Sequence, residues 1–402
     1  ESLRVMQRQS IVRLLSSILL VSGIITLGTA YATSPVREST SAIQKAHLEG
    51  SNVQIAPERD NATLIVSDRR FQGQVESAII VFAPNGSVMS YQGSIDNYQD
   101  SDPLPGGRYS FFILGSDRLP KSECPPGLGC SDNIFQTLNA STGQVQTFYI
   151  EQSNSSGSKD WHDADRINET HYVVADIAED SVFIVNVSSG EHVWTWEVES
   201  EFDPSSGGDY EGDWTHINDV EHLPDGRIMA NLRNQDQVVF ILPGEGLQKD
   251  WTLGQEDSHD IIFEPHNPDY IPEANGGPAV LIADSENNRI VEYQREDGQW
   301  ELSWVWRDDE MRWPRDADRL PNGHTLITDS NRGRVFEVNE AGKVVWQVNT
   351  SMPYEAERVG TGPESEGGPS AVRANLTSVA AGGVLPENQT RSGLKQYGDG
   401  RD

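Results

Sequence analysis

A pattern of four short apolar runs recurs along the chain, and few folds can absorb such a repeat. The cleanest copy opens with Trp313-Pro314-Arg315-Asp316-Ala317-Asp318-Arg319-Leu320-Pro321-Asn322-Gly323. Thr325 to Asp329 follows, then Val335 to Val338, a turn at Ala341-Gly342-Lys343, and Val344 to Val348. Short β-branched or aromatic runs separated by Pro/Asn/Gly turns predict a four-stranded antiparallel meander. Repetition of such a unit means a propeller or a solenoid.

Taken in order, the first copy (Ala62 to Tyr91) lacks its first run. Full copies start at Gln99, Trp161, Asp213, His259 and Arg315, the one at His259 carrying an inserted loop from His266 to Gly277. A leftover first run, Pro353 to Gly360, stands after the last copy. It supplies the strand the first copy lacks, so the ring closes with both ends in one blade. The expected fold is all-β: a six-bladed β-propeller of four-stranded antiparallel blades, closed by a C-terminal strand in the first blade. The expected division is a signal peptide or membrane anchor at 1–32, a linker at 33–59, the propeller at 60–360 and a flexible tail at 361–402.

Composition narrows the setting. The 402 residues carry a net charge of −32 with a pI near 4.5, which excludes attraction to nucleic acid phosphates. Regular apolar runs and aromatics argue against disorder. The remaining reading is a chain kept soluble in concentrated salt, where screening relieves self-repulsion. Arg4, Arg8 and Arg13 precede an apolar stretch from Leu14 to Ala32, which fits a signal peptide or a single anchor. The arginines place the remainder on the extracellular face of the membrane or in secretion, and nine Asn-x-Ser/Thr sequons agree with that side. Membrane contact is expected through the N-terminal segment only. Cys124 and Cys130 bracket Pro125 to Gly129 and read as a disulfide pinning one loop. No metal-ligand spacing accompanies them, and no cofactor is expected.

The first strand of a propeller blade lies nearest the channel. Aligning the six copies gives one column of Gln99, His162, Asn218, His259, Arg315 and Tyr354, all able to hydrogen-bond. Beside it runs a column of acids, Asp100, Asp163, Asp219, Asp260, Asp316 and Glu355. An acid in every blade distinguishes no spot, so it reads as structural, accepting backbone or cross-blade hydrogen bonds. The variable column is where chemistry belongs. His216 shares the face of Asn218, and Arg233 stands where other copies have Ser330, Ser285 and Ile177. His162, His216, Asn218, His259, Arg233 and Arg315 converge on one mouth, a cluster suited to an anion held by guanidinium forks and imidazole donors. His266 opens the insertion and is in reach of the same mouth or serves its turn.

At these residues the sequence resembles the arylsulfotransferase family, in particular its halophilic archaeal members. The resemblance spans about 60–360 and rests on Trp161-His162-Asp163-Ala164-Asp165, Trp214 to Val220, Leu232-Arg233-Asn234, His259-Asp260 and Trp313 to Asp318. It implies a histidine that becomes transiently sulfurylated, moving a sulfuryl group from an aryl sulfate to a phenol without a nucleotide sulfate carrier. Carried over, His216, Asn218 and Arg233 match the family's His-x-Asn and following Arg, His162 its earlier active-site His, and His259 its nucleophile. Arg315, Gln99, Tyr354 and His266 are the expected substrate contacts. The family's founding enzymes have an extra N-terminal β-rich domain that this chain has no room for. Two rival readings come from other classes. One is a non-catalytic extracellular propeller that binds a ligand or partner at this mouth. The other is a quinone-dependent dehydrogenase, for which there is no vicinal disulfide and no calcium-ligand set.

The acid surface carries its own test. Stability and activity are expected to be lost in dilute buffer and restored as salt rises, as thermal melts across a KCl series would show.

Overall fold

The structure is a computed structural model describing residues 43–48, 53–67, 77–126, 129–153, 161–362, 367–380 and 383–384. Six small antiparallel sheets form a six-bladed β-propeller with almost no helix. The expected anchor at Leu14 to Ala32 lies outside the described residues, among which no helix is long and apolar enough to cross a membrane.

Blade one pairs Pro353–Arg358 with Thr63–Ser67, followed by Ala78–Phe82 and Val88–Gln92. The closing register is Thr63 opposite Arg358 and Ile65 opposite Ala356, so the C-terminal strand does complete the first blade. Blade two runs Asn97–Asp100, Ser110–Arg118, Ser131–Asn139 and Gln144–Ser153. Blade three runs Trp161–Arg166, His171–Asp176, Ser181–Asn186 and Glu191–Glu197. Blade four holds Ile217–His222, Ile228–Leu232 and Gln237–Leu242, with Gly246–Leu247 and Leu253–Gly254 sharing its outer edge. Blade six is Pro314–Arg319, Thr325–Asp329, Arg334–Val338 and Val344–Asn349.

Blade five corrects the sequence reading. Its inner strand is Pro265–Ile271, paired with Ala279–Asp284 so that Pro265 faces Asp284 and Ile271 faces Ala279. Arg289–Glu296 and Gln299–Trp306 complete it. The stretch from His266 expected as an insertion is therefore the blade's first strand, and His259-Asp260 belongs to the loop before it. The reason is local: His259-Asp260 copies the repeat's X-acid signature, whereas the true strand reads Pro265-His266-Asn267, without the acid.

There is no single core. Six apolar clusters fill the six wedges between neighbouring blades, as radial packing requires. Second strands such as Ala279–Asp284 and Thr325–Asp329 are buried throughout, while the outer Val344–Asn349 alternates between exposed and buried side chains. The Cys124–Cys130 disulfide is present, with Cα atoms 5.5 Å apart, in the loop between the middle strands of blade two. Part of the stretch expected as a tail is regular. Ser370 caps a short helix (Ala371–Ala374), and Val379 pairs in parallel with Trp306. The buried Arg319–Glu292 pair holds this segment, Arg319 donating to the Pro369 carbonyl and Glu292 accepting from the Ala371 N–H.

Around the axis the inner-strand acids tie blade to blade. Asp163 and Asp165 accept from the backbone N–H groups of Val220 and His222, at 2.6 and 2.7 Å. Glu221 accepts from Tyr270, Asp269 from Arg319, Asp316 from Ala356 and Glu355 from Ser101, at 3.0 to 3.2 Å. Crowding so many carboxylates has a consequence. Burial pushes Asp163, Asp269 and Asp316 up to about 7. Burial and then neighbouring carboxylates raise Asp100, Asp219, Asp318 and Glu355 well above the usual range.

The folded state thus holds protons that the unfolded chain releases above about pH 4. Stability should fall as pH rises from about 4 through 7 and beyond. Thermal melts at fixed high salt are expected to show a lower Tm at pH 8 than at pH 5.5. Asp318→Asn, which keeps a neutral group of the same shape, should flatten that slope.

Candidate active site

In blades one, two, three and six the inner strand carries the same three-residue device. An apolar residue pairs with the second strand, the next residue falls in a register shift, and an acid resumes the pairing. The shifted residues are Gln99 in blade two, His162 in three and Arg315 in six, with Tyr354 in blade one between Pro353 and Glu355. In blade four the shift spans Asn218 and Asp219, and in blade five it falls between His266 and Asp269. A bulge re-aims a side chain, so these blades each offer a non-repeating residue, and in blade five His266 stands beside the bulge, paired with Ala283.

Above the bulge the chain turns through the left-handed region. His216 (φ 47°), Glu264 (φ 45°), Trp313 (φ 60°) and Met352 (φ 42°) each stand immediately before an inner strand. Such a backbone costs about 1–3 kcal/mol for a bulky residue and persists only where its surroundings impose it. The preceding blade does so. Asp180, Asp236 and Asn288, themselves left-handed turn residues, accept from the N–H groups of Thr215, Glu264 and Trp313 at 3.0, 2.8 and 2.8 Å.

The side chains so delivered meet. The rings of His162 and His216 lie 5.6 Å apart, edge to face, and His162 is 5.9 Å from Tyr354. The Arg315 guanidinium carbon sits 3.5 Å from the Trp313 ring centre and 5.4 Å from that of Tyr354, and His266 is 6.2 Å from Trp313. Asp213 accepts the Nδ1–H of His216 at 2.8 Å. Arg233 pairs with Glu264 and also donates to Asn234 at 2.9 Å. Asn218 accepts from Asn231 at 2.5 Å and donates to the Pro265 carbonyl at 3.3 Å. It therefore braces the strand that starts with His266 and does not present its amide to open space.

His266 is fully buried. Its Nδ1 lies 2.8 Å from Ser285 Oγ and 3.1 Å from the Glu264 carbonyl, and its Nε2 has no partner among the described residues. Burial first, then the positive charge of Arg315 and Arg233 and the neighbouring imidazoles, hold it well below the ordinary histidine range. Burial, His216 and Arg315 depress His162 in the same way, and burial depresses His216 against the opposing pull of Asp213. These groups feel one another's charge, which is the electrostatic sign that they share one site.

The family model for arylsulfotransferase (ASST) matches residues 142–351, just over half of the chain. The chain belongs to the arylsulfotransferase family. The matched stretch runs from the outer strand of blade two to the end of blade six, so it contains His162, His216, Asn218, Arg233, His266 and Arg315. No curated protein matches the chain in sequence. Among solved structures, a protein of unknown function from Bacteroides caccae is 12% identical, with a TM-score of 0.49 over 74% of this chain and 97% of its own. A putative 6-phosphogluconolactonase from Bacteroides uniformis is 13% identical, with a TM-score of 0.49 over 76% and 99%. A periplasmic gluconolactonase from Pseudomonas aeruginosa is 15% identical, with a TM-score of 0.48 over 78% and 89%. Likenesses this low carry nothing about activity.

Of the residues singled out in the sequence of this family member, the structure brings together His162, His216, Asn218, Arg233, Arg315, Tyr354 and His266. Gln99 holds the matching position in blade two. His259 does not join them. It stacks on Phe263 at 3.8 Å, faces Asp236 at 3.3 Å and is 41% exposed on the loop before blade five. Sequence reading misses Asp213, Asn231, Glu264, Ser285 and Trp313. The spacing from Pro265 to Ala279 was the available signal for blade five, because it is much nearer than the spacing from His259 to that between the first two strands of other blades.

The depressed basicity can be checked directly. In histidine-labelled protein the ring signals of His162 and His266 are expected to stay at their neutral positions down to about pH 6, where an ordinary histidine is largely protonated.

Proposed function

We propose that this protein transfers a sulfuryl group from an aryl sulfate to a phenol through a covalent adduct on His266. The carrying observation is the bare, buried Nε2 of a histidine whose other nitrogen is engaged, set among two further imidazoles and two guanidinium groups. The family match supports the reaction class. The placement of His259 on a half-exposed loop is the reason for moving the nucleophile from His259 to His266.

Sulfuryl transfer spreads negative charge over equatorial oxygens in a loose transition state, as phosphoryl transfer does. In the first half-reaction the His266 Nε2 lone pair forms a bond to sulfur. The bond from sulfur to the aryl oxygen breaks, and its electron pair leaves on that oxygen. His216, supported by Asp213, or His162 delivers the proton it needs. Arg233 and Arg315 supply positive charge to the sulfuryl oxygens. In the second half-reaction the acceptor phenol attacks sulfur, its proton passes to the same imidazole, and the electron pair of the N–S bond returns to His266. Gln99 and Tyr354 line the remaining blades at this height and are the proposed contacts to the aryl part. The setting we propose, an extracellular glycoprotein of halophilic archaeal type working in concentrated salt, draws on the acid composition, the apolar N-terminal run and the sequons.

Mixing the protein with 4-nitrophenyl sulfate and phenol in high salt tests the reading. Wild type should release 4-nitrophenol and carry a sulfate adduct on His266 by peptide mass spectrometry. His266→Ala should abolish both, and Arg233→Ala should lower the rate by about 10²–10³. His192→Ala, on the outer strand of blade three, should leave both unchanged. Loss in His259→Ala with survival in His266→Ala would restore the sequence-based nucleophile. No transfer and no adduct with several donors would leave a propeller that only binds a ligand at its mouth.

A further inference from the structure

Two imidazoles in the mouth have opposite kinds of partner on the nitrogen that faces away from the axis. Behind His216 stands a carboxylate, Asp213, at 2.8 Å. Behind His266 stand only neutral acceptors, the Ser285 hydroxyl at 2.8 Å and the Glu264 carbonyl at 3.1 Å. The Ser285 proton is committed elsewhere, because Oγ donates to the Pro314 carbonyl in blade six at 2.7 Å. With its hydrogen spent on that carbonyl, Ser285 Oγ can only accept from His266. The carbonyl of Glu264 can never donate. Both neighbours therefore demand a proton on Nδ1, which leaves the lone pair on Nε2.

We infer that Ser285 is a positioning residue that fixes His266 as the Nδ1–H tautomer and keeps that proton on the ring throughout the reaction. This deepens the sulfuryl-transfer reading and rests on it for its functional half. Before reaction, the tautomer decides which nitrogen attacks. After attack, the ring bears a sulfuryl group on Nε2 and a proton on Nδ1, so it is a substituted imidazolium. When the acceptor oxygen takes the sulfur, such a ring departs as neutral imidazole, a good leaving group. If an anionic partner removed the Nδ1 proton, the departing group would be imidazolate, a far poorer one, and the adduct would persist. A hydroxyl and a carbonyl are weak bases that hold the proton without taking it. The carboxylate behind His216 suits the opposite duty, since it favours the imidazolium and so lets that ring carry a proton back and forth.

The position of Ser285 in the repeat supports a selected role over a filler. It follows the last residue of the second strand, where blade six has Ser330 and blade four has Arg233. Ser330 Oγ likewise donates to the next inner strand, at the Pro353 carbonyl. The serine-to-carbonyl link is thus a repeated brace between blades. Among the described residues, a histidine stands within reach to donate to such a serine in blade five alone.

Three variants and one spectrum test the inference. In wild-type protein without substrate, long-range nitrogen–proton correlation should show His266 as the Nδ1–H form. Finding the Nε2–H form would overturn the assignment whatever the activity. Ser285→Ala keeps the fold at a fully buried small side chain and should lower transfer by about tenfold, with His266 populating both tautomers. Ser285→Thr should restore both the rate and the single tautomer. Ser285→Asp should form the adduct and turn it over slowly, so that sulfurylated protein accumulates after a stoichiometric burst of 4-nitrophenol. Wild-type rate and tautomer in Ser285→Ala, or no accumulation in a folded Ser285→Asp that forms adduct, would overturn it. A wild-type protein that shows the Nδ1–H form yet never forms an adduct overturns the transfer reading and leaves the tautomer assignment standing.

Discussion

Everything at the mouth depends on carboxylates that bind one blade to the next. A propeller blade has a complete hydrogen-bond ladder within itself and only apolar wedges beside it. Such wedges resist sliding weakly, because apolar contact is non-directional. The buried acids of the inner strands add direction. Asp163 and Asp165 fix the height of Val220 and His222, Glu221 that of Tyr270, Asp269 that of Arg319, and Asp316 that of Ala356. Each link sets the register of one inner strand against its neighbour, and Glu355 closes the circuit onto Ser101. Six bulges can present six side chains at one height only if the strands that bear them cannot shift along the axis.

The same circuit explains why the site can vary while the scaffold repeats. The acid of the repeat faces the neighbouring backbone and accepts from groups every sequence possesses. The residue before it is released by the bulge and contributes nothing to the ladder. It is free to be Gln99, His162, Asn218, Arg315 or Tyr354, while in blade five His266 pairs with Ala283 just before the shift. The left-handed residues above are the second tier of the same scheme, and side-chain oxygens from the previous blade hold their backbone N–H groups. Strain at the mouth is thus balanced by contacts outside it.

This separation also marks what can be read from the sequence. The repeat, the strand runs and the leftover C-terminal strand are all periodic, so the six-bladed closed ring is legible without coordinates. His162, Asn218 and Arg315 are legible because an acid follows each and fixes the alignment. Blade five breaks the rule: Asn267 replaces the acid, and a false His259-Asp260 stands upstream. Motif matching therefore puts His259 at the inner-strand position of blade five, and strand pairing with Ala279–Asp284 gives that position to His266. Asp213, Asn231, Glu264, Ser285 and Trp313 belong to no inner-strand column. They reach the site through turns and second strands, and their roles are geometric. The short helix after Ser370 was hidden for a related reason. Its partners, Glu292 and Arg319, lie far away in sequence, and nothing periodic announces them.

Charge is the last element that the ring arranges. A chain with a net charge of −32 would seem a poor host for an anionic sulfuryl group, and the channel below the mouth is lined with acids. Yet the groups that shift His266 besides burial are Arg315, Arg233, His216 and His162, all of them lowering its basicity. The channel acids do not dominate there, and their own crowding explains why. Burial and mutual repulsion raise Asp100, Asp219, Asp318 and Glu355 well above the usual carboxylate range, which favours the protonated form, and a protonated carboxyl projects a dipole in place of a full charge. A shift in that direction lessens the channel's negative charge beneath the mouth, where Arg315 and Arg233 act on His266. His266 is thereby favoured in its neutral form, which nucleophilic attack requires, beside guanidinium groups whose charge suits the sulfuryl oxygens. The dense carboxylate packing that holds the blades in register is therefore also the feature that raises the channel acids and limits the negative charge beneath the mouth.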